Sequence, residues 1–355
     1  MRRSRFFLLL AVTLLALVGA LALLFAIPPG RSTGVEGSPA FPLLAEQPSA
    51  ATAIAVTSAE GSYRVIRSSA PGLWLLPEAG GYPLEGGAAA RLLSSLARLE
   101  LFEAKTARPD LLDLLGLAGP DAGPQQGRRV LVTNAAGEPL VDAVIGAART
   151  NLDGTGAVGT YLRYSGTDQA WLALGELQVP ARVVGLLDSL LVALPGGVIA
   201  ELAITPPEGG APLRAARAER GALGLDLVPP PPDGMASDDF LLRQMADSFS
   251  RLAFRAVRPV EEIAFTAPWD VAATTFDGIR LRLTLQEIEG EVWARLAADA
   301  VAPLDADAGA SPREDALVFA ADLAGRVDGW VYRLDPLVLR RLAQRRQDLV
   351  EVVGE

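Results

Sequence analysis

The side chains able to do chemistry in this chain are few, and their types restrict it at once. Its 355 residues include no His and no Cys. That double absence removes thiolate nucleophiles, Ser-His-Asp and Cys-His arrangements, and nearly every zinc, copper or haem site. A single lysine, Lys105, would have to carry any Schiff-base or Ser-Lys chemistry. The patterns SxxK, GxSxG and GxxxxGK(S/T) do not occur. Carboxylates remain. Glu261 beside Glu262, or Asp110 near Asp113, are the residue types of glycan hydrolysis. Adjacent residues diverge in direction, however, and Asp113 lies one helical turn from Asp110, so neither spacing demands an acid and base pair.

Three further patterns have ordinary readings. Asp305, Asp307 and Glu314 are oxygen donors in a loop, but a calcium loop wants a third ligand where Gly309 stands, and Pro312 interrupts the run; a solvated acidic linker is expected. The stretch Gly154 to Gly159 matches GxGxxG. It runs into the β-like segment Thr160 to Tyr164 rather than opening a helix, so a glycine-rich hairpin loop is expected. Catalytic, cofactor-binding and metal-ligating residues are therefore expected to be absent. The aromatic residues Trp74, Tyr82, Trp171, Trp269, Trp293, Trp330 and Tyr332 either line a carbohydrate groove or anchor cores. Arg340, Arg341, Arg345 and Arg346 either meet anionic head groups or an acidic partner, or lie on a solvated helix face. The candidate contact residues are Trp74, Tyr82, Trp330 and Tyr332 with those four arginines. With 32 basic residues against 42 acidic ones, net −10, nucleic acid is not an expected partner.

The elements that position these residues begin with a run that has no chemistry at all. Phe6 to Ile27 is uncharged and long enough, at about 1.5 Å per residue, to cross a hydrocarbon core of about 30 Å. Arg2, Arg3 and Arg5 precede it and no charge follows until Arg31, so the N-terminus is expected inside and the rest outside, in the periplasm. A cleaved signal peptide is the competing reading, with Ala20 to Ala22 as its small-residue site. The expected layout is a cytoplasmic tail 1–5, a span 6–27, a tether 28–52, and two tandem α+β repeats, 53–200 and 201–355, each an antiparallel sheet packed on helices.

In the first repeat, Tyr63 to Arg67 and Leu73 to Leu76 are expected to pair as a hairpin. Leu92, Leu93, Leu96 and Leu99 predict a helix over Gly87 to Leu101, and Pro109 starts a short one through Leu115. Hairpins are expected from Arg129 to Ile145 and from Thr160 to Leu174, and a closing helix or helical turn over Val183 to Leu194. In the second, a helix is expected from Asp238 to Ala253 with Ser237 as N-cap, and a hairpin over Ile279 to Leu296. A loop is expected over 302–315, a strand from Gly329 to Leu334, and a helix from Pro336 to Val350. Thr57 to Ser62 is echoed by Thr205 to Gly210, and Leu99 to Ala104 by Leu252 to Ala256.

Five features together resemble a bacterial domain of unknown function, the family numbered 4340. They are the N-terminal anchor, Trp74-Leu75 with Pro77 and Tyr82 before a Leu-rich helix, Leu112 to Leu117 as LxxLGL, the hairpin into Ile145-Gly146, and Tyr161-x-Arg163. Gly329 to Leu334 with its Arg-rich helix is similar to the C-terminal end of proteobacterial members. The resemblance carries no catalytic motif. It implies a membrane-anchored, non-enzymatic accessory subunit of an ABC-type exporter of the gliding-motility kind, with an inner-membrane permease and ATPase as partners. An envelope glycan-binding protein, or a carboxylate-dependent glycan hydrolase working without a transporter, is the alternative from another class.

Overall fold

The computed structural model of the chain describes residues 36–84, 87–123, 126–152, 156–304 and 310–352. The expected span Phe6–Ile27, the tail before it, the start of the tether, and Asp305 and Asp307 lie outside those residues. Among the described residues no helix is long and apolar enough to cross a membrane. The architecture is α+β with mostly antiparallel sheets.

The chain opens with α1 (Pro42–Glu46), β1 (Ala53–Ser58), β2 (Gly61–Arg67), β3 (Trp74–Leu76) and β4 (Tyr82–Leu84). There follow α2 (Ala88–Ala97), β5 (Glu100–Ala104), β6 (Arg128–Thr133), β7 (Pro139–Leu152), β8 (Ala157–Tyr164) and β9 (Ala170–Leu174). Next are β10 (Leu190–Val192), β11 (Ile199–Thr205), β12 (Leu213–Ala216), β13 (Asp226–Leu227), β14 (Met235–Ser237), α3 (Asp239–Asp247) and β15 (Leu252–Pro259). The last are β16 (Trp269–Thr275), β17 (Ile279–Ile288), β18 (Glu291–Ala300), α4 (Glu314–Val327), β19 (Trp330–Leu334), α5 (Pro336–Leu342) and β20 (Val350–Val352). Compactness divides this chain discontinuously. One unit comprises Met1–Ala51, Val56–Ala59 and Leu92–Val179, the other Thr52–Ala55, Glu60–Arg91 and Pro180–Glu355.

In the first unit the strands run β6-β7-β8-β9-β5, all antiparallel. Alternation decides which face of β6 is inside: Val130 and Val132 are wholly buried while Arg129, Leu131 and Thr133 are not. The outer edge of β5 is not left bare. Leu101 donates to the carbonyl of Ser38, and Gly37 and Ala40 donate to Leu101 and Leu99, so residues 37–40 cap the sheet. A satellite core of Leu112, Leu117, Val144 and Ala170 lies under the loop that joins β5 to β6.

The second unit holds a nine-stranded sheet, β10-β15-β19-β18-β17-β16-β11-β12-β13, with a separate β14–β20 pair. The hairpin β17–β18 turns at Glu289 (φ 52°) and Gly290 (φ 78°), the left-handed pair that a two-residue hairpin needs. The meander β2-β3-β4 belongs here too, with Ile66 opposite Leu75 and Leu76 opposite Tyr82. Helix α4 packs mainly on β18 and buries Ala316, Ala320, Leu323 and Val327.

Several expected helices are shorter than their apolar spacing suggested. The helix predicted to Leu101 stops at Ala97, because buried Leu99 and Leu101 alternate with exposed Glu100 at the period of a strand. Pro109 to Leu115 is two 3₁₀ turns, the second ended by Gly116 at φ 67°. Val183 to Leu194 is a 3₁₀ turn, Val183–Leu186, and then strand β10. Asp238, not Ser237, caps α3, accepting from the Leu241 amide at 2.9 Å, and α3 ends at Asp247 before β15. The C-terminal helix ends at Leu342; the Asp348 carboxylate takes the Arg345 amide at 2.8 Å and starts a separate turn, after which β20 forms.

Candidate functional site

Among the described residues, a surface shaped to meet another molecule lies in the second unit, around β15 and β19. These strands are antiparallel, with Val257 opposite Tyr332 and Phe254 opposite Leu334. An odd spacing would put Phe254 and Val257 on opposite faces. The register slips between Phe254 and Ala256, leaving Arg255 as the extra residue of a bulge, and both apolar side chains then lie on the Tyr332 face. Four aromatic rings gather there. Tyr82 meets Trp330 edge-on at 4.9 Å between centroids, Phe254 at 6.0 Å and Tyr332 at 6.3 Å, and Phe254 meets Tyr332 at 5.0 Å. Tyr332 is 0% exposed and its hydroxyl donates to the Arg326 carbonyl at 3.2 Å.

The meander is pinned to this place by more than Tyr82. Arg258 donates to the Glu78 carbonyl at 3.0 Å, and Tyr63 donates to the Pro180 carbonyl at 3.0 Å. Gly80 packs so closely that a Cβ there would stand 2.2 Å from the Pro259 ring.

Beside the cluster a cleft of about 490 Å³ opens. Phe254, Leu334, Val184, Val292 and Pro336 form its apolar surface, and Arg182, Arg255 and Arg333 bring guanidinium groups from three separate segments. The bulge puts Arg255 there, and the Glu289–Gly290 turn sets one rim. Each arginine is held by one carboxylate: Arg182 by Glu60 at 2.9 Å, Arg255 by Asp335, and Arg333 by Glu291. Asp335 also caps α5, accepting from the Leu337 amide at 2.9 Å. That amide, then the Arg255 guanidinium, holds the Asp335 carboxyl below its ordinary range despite partial burial. Its two oxygens are engaged separately, Oδ1 by the Leu337 amide and Oδ2 by the Arg255 guanidinium.

Of the residues singled out from sequence, Tyr82, Trp330 and Tyr332 come together. Trp74 does not join them; it is buried opposite Leu84, with the Arg67 guanidinium 5.3 Å from its ring centre. Arg340, Arg341, Arg345 and Arg346 do not line the cleft. Arg340 and Arg345 are exposed, while Arg346 donates to the carbonyls of Pro229 at 2.6 Å and Pro230 at 3.1 Å. Glu261 and Glu262 share a 3₁₀ turn, Glu262 lying 3.7 Å from Arg258, and Asp110 is engaged by Arg108 at 2.5 Å. The described part of the GxGxxG stretch lies in the β7–β8 hairpin, Leu152 opposite Ala157, and no helix follows it. Arg182, Arg255 and Arg333 went unnoticed in the sequence because nothing local distinguishes them. Only a bulge and two long-range pairings bring them together. Among the described residues no group of three or more carboxylates is arranged to hold a metal ion. Comparison with protein-family models, with curated proteins and with solved structures finds no match.

Proposed function

We propose that this chain is a non-enzymatic, membrane-anchored periplasmic accessory subunit of an ABC-type export system, and that its second unit receives a ligand or partner segment. The observation that carries the binding part is the cleft itself. Its charged groups are paired so as to orient guanidinium forks over an apolar surface, an arrangement that recognises rather than reacts. The absence of His and Cys from the sequence supports the same reading. The export context rests on the resemblance, and the anchor on Phe6–Ile27. A sugar platform finds less support, because Tyr82 meets the other three rings edge to face and Tyr332 is inside the core.

The two-repeat organisation belongs to this proposal. Strand order supports it: β6-β7-β8-β9-β5 in the first unit has the same sequence of steps as β16-β17-β18-β19-β15 in the second. In both, the strand that follows a helix, β5 after α2 and β15 after α3, pairs with the last strand of the run, β9 or β19, although β18 reaches β19 through helix α4 where β8 reaches β9 by a turn.

The test is purification of the full chain from its native membrane in mild detergent, with co-purifying chains identified by mass spectrometry. A stoichiometric permease and ATPase is the expected result, and isolation alone in several detergents overturns the export reading. Placement is tested separately. The chain has no cysteine, so a single Ser38→Cys variant reports without background, and labelling of intact cells by a membrane-impermeant maleimide is expected only if residue 38 lies outside.

A further inference from the structure

We infer that the cleft of the second unit binds an anionic amphiphile, its acidic head on Arg255 and Arg333 and its apolar body over Phe254, Val184 and Leu334. This rests on the binding reading above and names its ligand class. Three features of the cleft carry it. The first is donor supply. Arg333 gives Nη1 to Glu291 and Arg255 gives Nη2 to Asp335, and no other described acceptor takes their remaining N–H groups. A guanidinium has five such hydrogens in a fixed fork, so each keeps an edge suited to two oxygens of a phosphate or carboxylate.

The second feature is orientation. Asp335 is fixed at the start of α5, and Glu291 follows the tight β17–β18 turn, so the two arginines are held by groups that do not themselves wander. Arg333 is further restrained by being only 31% exposed. The third is the surface between them. At about 490 Å³ the cleft falls in the size range of small-molecule sites, and its lining is more apolar than polar, Val184 and Pro336 offering more open surface than the buried Phe254, Leu334 and Val292. Inorganic phosphate would use the forks and waste the floor. A neutral amphiphile would cover the floor and leave the forks unpaired. Because Glu60, Asp335 and Glu291 balance the three arginines, the attraction is by directed hydrogen bonds more than by net field, and moderate salt should weaken it only slightly.

The experiment measures binding of decyl phosphate and decanoate, below their micellar concentrations, to the full chain in nanodiscs of zwitterionic lipid, with empty discs subtracted. Decyl glucoside and inorganic phosphate are the matched controls. Saturable binding of one anionic amphiphile per chain is expected, with both controls at least tenfold weaker, since losing a hydrogen bond to a charged group costs about that factor. Arg255→Gln, at an exposed position, should weaken decyl phosphate about tenfold and leave the thermal midpoint unchanged. Val184→Trp, which fills the cleft without touching a charge, should abolish binding. Equal binding of decyl glucoside, equal binding of inorganic phosphate, or indifference to either substitution would overturn the inference. A chain that co-purifies with a transporter yet binds no probe refutes the ligand class and leaves the accessory reading intact.

Discussion

Gly146 shows how much one hydrogen atom in place of a methyl can decide. A Cβ there would stand 2.4 Å from the Leu115 carbonyl oxygen, and one at Gly127 2.6 Å from that of Gly116. Gly116 adds a φ of 67° that a side chain resists. Leu112 to Leu117 and Ile145-Gly146, prominent in the sequence, are thus a backbone-on-backbone contact. Gly146→Ala should destabilise by about 2–3 kcal/mol in urea unfolding, against about 1 kcal/mol for Gly137→Ala, where only the φ of 80° is strained. Arg217 is a second such residue. It is 8% exposed, donates to the carbonyls of Ile199 at 3.0 Å, Gly196 at 3.1 Å and Ala222, and burial pulls its pKa down against the pull of Asp247 and Asp226. Arg217→Ala should cost about 3 kcal/mol, and Arg217→Lys part of that, since a lysine cannot reproduce the fork. Acid sensitivity also belongs to single residues. Asp142 is lowered chiefly by its bond to Arg129, Asp277 by Arg220, and Asp335 by the Leu337 amide. Lowered carboxylates bind more protons unfolded than folded, so their contribution is complete above the ordinary carboxylate pKa and lost as pH falls below about 4. With no His to titrate, thermal midpoints should stay level from about pH 6 to 8 and fall only in acid. Asp142→Asn should lower the neutral midpoint and flatten that fall; an unchanged acid profile would refute the assignment.

At the scale of elements, the bulge in β15 decides what the cleft contains. Deleting Arg255 removes the extra residue, so either Phe254 or Val257 must leave the Tyr332 face. Loss of near-ultraviolet circular dichroism from the Tyr82–Trp330 cluster, with far-ultraviolet signal largely kept, is the expected outcome. The hairpins β6–β7, β8–β9 and β17–β18 are legible in the sequence because a turn of fixed chemistry separates two apolar runs, whereas β1, β5, β10 to β16 and β20 are not. Helix ends were misjudged where apolar residues suit both periods, as Leu99 and Leu101 do. Helix α4 was missed because three of its inward positions from Ala316 to Leu323 include two alanines, which give little contrast with an Ala-rich chain. The cleft was illegible for a different reason. Its arginines derive their meaning from partners far along the chain, and no local pattern records that.

The whole molecule is defined by a unit that is not one stretch of chain. Residues 60–91 belong with 180–355, and they bring Tyr82, Glu78 and Gly80 to the face of β15. Residues 180–355 alone should therefore expose Phe254 and Tyr332 and bind a hydrophobic dye, and a peptide of residues 60–91 added in trans should suppress that binding. A 180–355 fragment that is dye-silent and as stable as the full chain would refute this. The same discontinuity sets a schedule for biosynthesis. Glu78 leaves the ribosome 180 residues before Arg258, and at about 5–20 residues per second that is a wait of roughly 10–40 s. Through that interval Tyr82 lacks Phe254, Trp330 and Tyr332, so this early-made part of the second unit is the part most in need of a chaperone, and delay in making the last strands lengthens its exposure.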